Sequence, residues 1–197
     1  SEVSAVLDEA CRLADVRTAP RVLVTDAVSA PSLFGILQPV ILLPRQVAAG
    51  RDAAALKLIL LHELAHLKRR DLWAQILSSC VIALHWFNPV AHIAWRAFRL
   101  DQEAACDAMV LKGASPADRH AYGSALVKSA TGGVPLAACT MTAKTGLKTR
   151  LRRIVEGRLA PMRGGAAVAG LVVVGGLAVT ASTGIAAEAA RTVQKSA

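Results

Sequence analysis

The stretch from Ala53 to Leu67 (AAALKLILLHELAHL) is apolar on nearly every side of a helix, yet it carries His62, Glu63 and His66. A helix apolar all round is a buried helix, and unpartnered polar groups in a buried helix are costly. The chain must therefore fold so that something meets these three side chains. They stand in the order H-E-x-x-H. At i and i+4 the two imidazoles point the same way, and their ring nitrogens can reach one zinc ion at about 2.0–2.1 Å. Glu63 lies about 100° round the helix and is badly placed to ligate the same ion. It stands instead where it can take a proton from a water on the open side of the metal. The alternative, core polar groups satisfied by backbone, suits so apolar a helix less well. Asp52 is a fitting N-cap for it.

A zinc site of this kind needs a third protein ligand and keeps its fourth position for water. No histidine follows in the H-E-x-x-H-x-x-G-x-x-H arrangement, which removes that subclass. Glu103, 37 residues after His66, is the candidate. Between them, Leu72 to Trp95 carries no Lys, Arg, Asp or Glu, and Asn88-Pro89 interrupts it. Proline favours a helix start over a helix interior. The stretch therefore predicts a helical hairpin over 72–112 with its tip near Asn88, able to dip into a bilayer. Trp73, Trp86 and Trp95 serve there as interfacial anchors or as core packing. Glu103 and Asp107 share a face of the second arm, where Asp107 can accept a hydrogen bond from a ligand histidine's second nitrogen and fix its tautomer. A straight hairpin leaves a mismatch, about 32 Å from His66 to residue 87 against about 21 Å from Pro89 back to Glu103. A bend or break near Lys68-Arg-Arg-Asp71 is predicted. His85 and His92, on the arms, are read as structural.

The remaining elements are simpler. Residues 2–16 place Val3, Val6, Leu7, Ala10, Leu13 and Ala14 at helical spacing, and Pro20 closes that helix. Arg21 to Thr25 reads as a short strand. Pro31 and Gly35 mark a turn, and Gly35 to Pro44 reads as a second extended segment with Pro39 at a bulge or sheet edge. That segment, near 35–43, is either an edge strand for a substrate backbone or plain core sheet. Gly113 ends the hairpin's second arm. Ser115-Pro116 and Asp118 open a further helix carrying His120 and Tyr122. These two are candidate donors to an oxyanion opposite the metal, against a packing tyrosine and a surface histidine. Residues 131–143 look like a loop. Cys11, Cys80, Cys106 and Cys139 form no close pair and read as small buried groups in a reducing compartment. The fold class expected is mainly α with a small β element (α+β).

With 54% apolar and 19% charged residues among 197, a disordered tail is excluded. The mean hydropathy of +0.44 directs attention to a membrane segment. Ala166 to Ala187 supplies one, 22 residues without a charge and rich in the small residues that suit close packing in lipid. Seven cations between Lys144 and Arg163 precede it and only Arg191 and Lys195 follow, so the preceding region is expected on the cytoplasmic side of the cell membrane. Leu147, Leu151, Ile154 and Leu159 give the basic segment one apolar stripe, an amphipathic helix at the membrane face. The net charge of +9 also suits nucleic acid, but the uncharged run beside the cations favours lipid headgroups. The expected organisation is a cytoplasmic domain over 1–160, a transmembrane helix over 166–187 and an extracytoplasmic stub over 188–197. A first residue of serine suggests a piece of a longer chain.

Five segments together resemble the BlaR/MecR family of integral-membrane zinc metallopeptidases. They are His62-Glu-Leu-Ala-His66, Arg70-Asp71, Phe87-Asn88-Pro89, Glu103-Ala-Ala-Cys106-Asp107 and Gly146-Leu-Lys-Thr-Arg-Leu-Arg-Arg-Ile154. The Pro31 to Pro44 stretch, with Phe34-Gly35 and Ile41-Leu-Leu-Pro44, is similar too. The resemblance covers about residues 20–187. It implies a gluzincin-like zinc metallopeptidase domain set between membrane helices. It implies zinc ligands at His62, His66 and Glu103 and a general base at Glu63. It also implies signal transduction in antibiotic-resistance regulation, in which a winged-helix transcriptional repressor, the protease itself, or both are cleaved after an external signal. The expected partners are a protein substrate and membrane lipid, without direct nucleic-acid contact; a homodimer is the remaining association considered. The family's sensor domain and earlier membrane helices lie outside this sequence, so β-lactam sensing is not carried over. Rival readings are a CAAX-processing or HtpX-type membrane protease, which shares H-E-x-x-H and a later Glu, and a proteolytically silent zinc-binding scaffold.

Overall fold

The structure is a computed structural model that describes residues 2–50, 52–131 and 141–157. It has a mainly helical architecture with one small sheet. In chain order the elements are α1 (Glu2–Ala14), β1 (Arg21–Thr25), β2 (Ser32–Phe34), β3 (Val40–Pro44), α2 (Arg45–Ala48), α3 (Ala53–Arg69), α4 (Asp71–Leu84), α5 (Pro89–Val110), α6 (Pro116–Thr131) and α7 (Met141–Val155).

The sheet has the order β1-β3-β2. β3 runs parallel to β1, with Arg21 opposite Val40, and antiparallel to β2, with Leu33 opposite Ile41. Of the two readings of residues 35–43, the core-sheet one holds for β3. β3 is the central strand, its ladder groups engaged on both sides, and Ile41 and Leu43 are fully buried. The edges fall to β1 and to β2, the latter a three-residue strand inside what reads as a turn between Pro31 and Gly35. Gly35 sits at φ +85°, and a Cβ there would stand 2.6 Å from the Gln38 carbonyl oxygen, so the turn into β3 requires glycine.

One core lies between the sheet, α1 and α3. Val6, Leu7, Ala10 and Cys11 of α1 meet Ile41 and Leu43 of β3 and Leu56, Leu60 and Leu64 of α3. The leucines recur every fourth residue, so one stripe of α3 faces the sheet and leaves His62, Glu63 and His66 to other neighbours. Asp52 caps the helix, accepting the Ala55 N–H at 2.9 Å. A smaller core joins Leu111, Tyr122, Leu126 and Ile154.

The predicted break after α3 falls at Arg70, which adopts a left-handed conformation (φ 58°, ψ 37°) and separates α3 from α4. The hairpin then follows, α4 outward and α5 back. Asn88 caps α5 by accepting the Val90 N–H at 2.9 Å, with Pro89 in the first turn. Trp73, Trp86 and Trp95 are exposed on this hairpin, as are Leu84, Phe87 and Ile93. Among the described residues the tryptophans join neither buried cluster. His85 and His92 bond the carbonyls of Val81 and Trp86 within the hairpin.

Two further expectations change. The apolar stripe of residues 147–154 packs on protein: Ile154 is 1% exposed and joins Leu147 against Leu111, Tyr122 and Leu126. A stripe of leucines fits an apolar protein surface as well as lipid, and here α5 and α6 provide one. The 131–143 loop is shorter than read, because α6 runs to Thr131 and α7 begins at Met141; the residues between lie outside those described. So do Cys139, Leu159, the apolar run 166–187 and the stub 188–197. Among the described residues no helix is long and apolar enough to cross a membrane.

Candidate metal centre

α3 and α5 cross with the histidine face of one against the acidic face of the other. His62 and His66 stand edge to face, ring centroids 4.8 Å apart. Their Nε2 atoms face one carboxylate: His62 Nε2 lies 3.4 Å from Glu103 Oε2 and His66 Nε2 lies 3.8 Å from Glu103 Oε1. Tetrahedral coordination with bonds of about 2.0–2.1 Å holds ligand atoms about 3.3–3.4 Å apart. The His62 separation is at that value, the His66 separation is to the other carboxylate oxygen, and one ligand atom from each of the three residues lies within 4.8 Å of the others. Two imidazole nitrogens and one carboxylate oxygen are also the donor chemistry of a hydrolytic zinc site. The three residues fit such an ion.

The outward nitrogens decide which ring nitrogen is available. The Tyr122 hydroxyl donates to Asp107 Oδ1 at 2.7 Å and accepts from His62 Nδ1 at 2.8 Å. Burial and the Asp107 charge push the Tyr122 pKa well above its ordinary value, so the phenol keeps its proton. His62 Nδ1 must then be the protonated nitrogen, leaving Nε2 with a lone pair. His66 Nδ1 donates to Asp71 Oδ2 at 2.8 Å, with Arg69 Nε 3.3 Å from the same oxygen. Burial alone would raise the Asp71 pKa; the His66 hydrogen bond and Arg69 outweigh it and hold the carboxyl ionised. The same contact, with nearby carboxylates, raises the His66 pKa against the opposing effect of burial. Cys106, fully buried, packs its thiol 3.3 Å from His66 Nδ1 and donates to Asp71 Oδ2 at 3.5 Å. Burial and Asp71 push its pKa up, so it remains a thiol.

Glu63 is buried beside the donors, and that burial raises its pKa despite the two imidazoles, which pull it down. For Glu103 the balance reverses. Burial is outweighed by the His62 contact and by Arg150, and its carboxyl is held well below the usual range. Arg150 of α7 reaches across to Glu103 and Asp107 of α5, with Nη1 2.7 Å from Glu103 Oε2, Nη2 2.7 Å from Asp107 Oδ1 and Nε 2.9 Å from Asp107 Oδ2. The donors open into a cavity of about 300 Å³ bounded by Pro31 and Leu33 beside and on β2, Gln75 of α4, Arg99 of α5 and Leu147 of α7.

The structure thus brings together His62, Glu63, His66, Glu103 and Asp107. Asp107 approaches His62 Nδ1 to 3.5 Å and is joined to it through the Tyr122 hydroxyl. Tyr122 is corrected: its hydroxyl is engaged behind the His62 ring and is not placed to meet an oxyanion on the open side. His120 is corrected as well, because it lies exposed on α6 and does not line the cavity. Two residues in this arrangement have no role in the sequence reading, although both stand in segments that carry the family resemblance. Asp71 enters it with Arg70 and at the helix break. Arg150 was one cation among seven; its signal is a charge lodged in an apolar stripe, three residues after Leu147 and four before Ile154.

A family model for the BlaR1 peptidase M56 matches residues 1–154. The chain belongs to the BlaR1 peptidase M56 family. Among curated relatives, the regulatory protein BlaR1 of Bacillus licheniformis is 31% identical over 101 residues, 51% of this chain and 17% of that protein. The methicillin resistance mecR1 protein of Staphylococcus aureus is 33% identical over 98 residues, 50% of this chain and 17% of that protein. The regulatory protein BlaR1 of Staphylococcus aureus is 29% identical over 104 residues, 53% of this chain and 18% of that protein. The chain thus corresponds to under one fifth of the length of the M56 relatives it matches. No solved structure matches it significantly. The M56 family is one of metallopeptidases, and its membership fits both the donor set of α3 and α5 and the mainly helical fold with a small sheet.

Proposed function

We propose that this chain is the catalytic part of a membrane-associated zinc endopeptidase, with His62, His66 and Glu103 as zinc ligands and Glu63 as general base. The observation that carries this is the convergence of two imidazole Nε2 atoms on the Glu103 carboxylate, each ring oriented by its own carboxylate system. Zinc, when bound, supplies Lewis-acid activation of water and of the scissile carbonyl. The chain's own residues do the rest. Glu63, whose burial makes it a stronger base than an ordinary carboxylate, accepts a proton from water and delivers it to the leaving amine. Asp71 and the Tyr122–Asp107 pair keep the rings turned so that only Nε2 meets the ion. The free side of β2 borders the cavity and offers backbone groups to an extended substrate.

The relatives' names, regulatory protein and methicillin resistance protein, support a regulatory role; the substrate proposed is a cytoplasmic protein such as a winged-helix repressor, or this protein itself. The hairpin's tip, in a stretch uncharged from Leu72 to Trp95 and with Trp86, Phe87 and Ile93 exposed, supports dipping into the bilayer, below a site facing the cytoplasm.

Metal analysis tests the centre. Purified protein is expected to hold one zinc per chain, and His62→Ala and Glu103→Ala to lose it. Glu63→Gln is expected to keep zinc and lose peptide cleavage. Stoichiometric zinc surviving in both ligand variants rejects the assignment, and unchanged cleavage by Glu63→Gln rejects the base.

A further inference from the structure

We infer that Arg150 is a positioning residue for the metal centre, holding Glu103 and Asp107 in the geometry that zinc requires. This rests on the ligand assignment just proposed. Glu103 and Asp107 are one helical turn apart on α5, where like charges repel. Asp107 is buried and Glu103 part-buried, with the buried Glu63 adding a third acid beside them. Among the described residues, Arg150 is the only arginine or lysine paired with Glu103 or Asp107. Its fork bonds Asp107 through two nitrogens, and the remaining one fastens Glu103 Oε2. A carboxylate oxygen has two lone pairs, so Oε2 can bond the guanidinium on one side and face His62 on the other.

The helix that carries Arg150 is itself fastened. Leu147 and Ile154 flank it on one face of α7 and seat in the pocket formed by Leu111, Tyr122 and Leu126. Tyr122 belongs to that pocket and to the His62–Asp107 link at once. The docking of α7 and the orientation of both ligand-bearing helices are therefore one arrangement. A lysine could not reproduce it, because its donors share one nitrogen whereas the planar guanidinium sets three nitrogens against the three oxygens.

A contrary arrangement is also physically definite. Arg150 Nη2 lies 3.4 Å from His62 Nε2, so a guanidinium held there could instead compete with the ion. The two cases predict opposite signs. As a positioning residue, Arg150 raises zinc affinity; as a competitor, it lowers it.

The test is zinc affinity of the full chain, read by competition with a chromophoric chelator, for the parent, Arg150→Ala and Arg150→Lys. Cobalt-substituted protein supplies a visible spectrum that reports coordination geometry apart from activity. Arg150→Ala is expected to bind zinc about 10–100-fold more weakly, as losses of ligand-supporting groups do, with an altered cobalt spectrum. Added methylguanidinium is expected to recover part of both, and Arg150→Lys to remain impaired. Should Arg150→Ala not fold, Arg150→Lys, which keeps the charge, carries the test. Affinity unchanged within twofold, or tighter, in folded variants overturns the inference while leaving the ligand assignment standing. A parent that binds no zinc overturns the assignment first and the inference with it.

Discussion

Tyr122→Phe isolates one hydroxyl in the centre. The ring is fully buried in the α6–α7 core, and phenylalanine fills the same volume, so no cavity forms and the cost of about 3–5 kcal/mol for truncating a core aromatic to alanine does not arise. What is lost is the acceptor for His62 Nδ1–H at 2.8 Å and one donor to Asp107 Oδ1. Asp107 keeps both Arg150 contacts, so the loss falls mainly on His62. A buried donor left without a partner costs about 1–3 kcal/mol. Asp107 Oδ1 lies 3.5 Å from Nδ1, too far to replace the bond without a shift and close enough to recover part of it. The ring is then less firmly held in the tautomer that presents Nε2. Zinc affinity is expected to fall by about 10–100-fold, equivalent to about 1.4–2.8 kcal/mol, with a parallel loss in apo-protein stability. Chelator competition on folded protein measures the first and urea denaturation the second. If affinity stays within twofold of the parent, the hydroxyl does not orient His62, and Tyr122 is a packing residue.

Three further outcomes follow from the same structure. Zinc at one hundred times its dissociation constant should stabilise the protein by about 2.7 kcal/mol, so adding a chelator should lower Tm by about 5–11 °C and leave His62→Ala unmoved; an equal shift in both would dissociate stability from the centre. Leu60→Ala, at a fully buried position between α1 and the sheet, should cost about 2–5 kcal/mol in urea denaturation, and a loss below about 1 kcal/mol would contradict the described core. At the start of α6, the Ser115 hydroxyl and backbone N–H hold the Asp118 pKa below its ordinary value. A carboxyl lowered on folding contributes stability above its unfolded pKa, about 3.9, and loses it as pH falls through the lower folded value. Tm measured across that acid range should therefore drop less steeply for Asp118→Asn, whereas superimposable acid limbs would show the cap to be silent.

Features governed by neighbours in sequence were legible. Periodicity marks α1, Asp52 and Asn88 mark two helix starts, and the mismatch in arm lengths demands the break that falls at Arg70. The pairing of His62 and His66 with Glu103 follows from i, i+4 spacing and a returning hairpin. What failed depends on which surfaces meet. β2 has three residues, too few for a period of two to register, so the sheet order and its edge were hidden. The stripe of Leu147 and Ile154 says only that α7 has an apolar face; whether lipid or protein covers it is a tertiary matter. Tyr122 and Arg150 enter from helices with no sequence proximity to α3, and their chemistry alone, a phenol and a guanidinium, does not announce where they point.

Charge explains why an otherwise apolar helix carries this centre. Around His62 and His66 stand four acids, Glu63, Asp71, Glu103 and Asp107, with Arg69 and Arg150 bonded to three of them and Arg99 on the cavity wall. With both imidazoles neutral and every acid ionised, the formal sum is 3 − 4 = −1. Excess charge at buried positions such as Glu63 and Asp107 is costly. Arg69 is committed to Asp71 and Arg150 to Asp107 and Glu103, which leaves Glu63 as the acid of the four with no cation bonded to it. A cation between the Nε2 atoms and Glu103 supplies positive charge beside Glu63. A further arginine there would supply the charge without offering an open position for water. The acids of the pocket therefore favour a cation, while the two histidines and the glutamate select its coordination, and the two preferences rest largely on different residues.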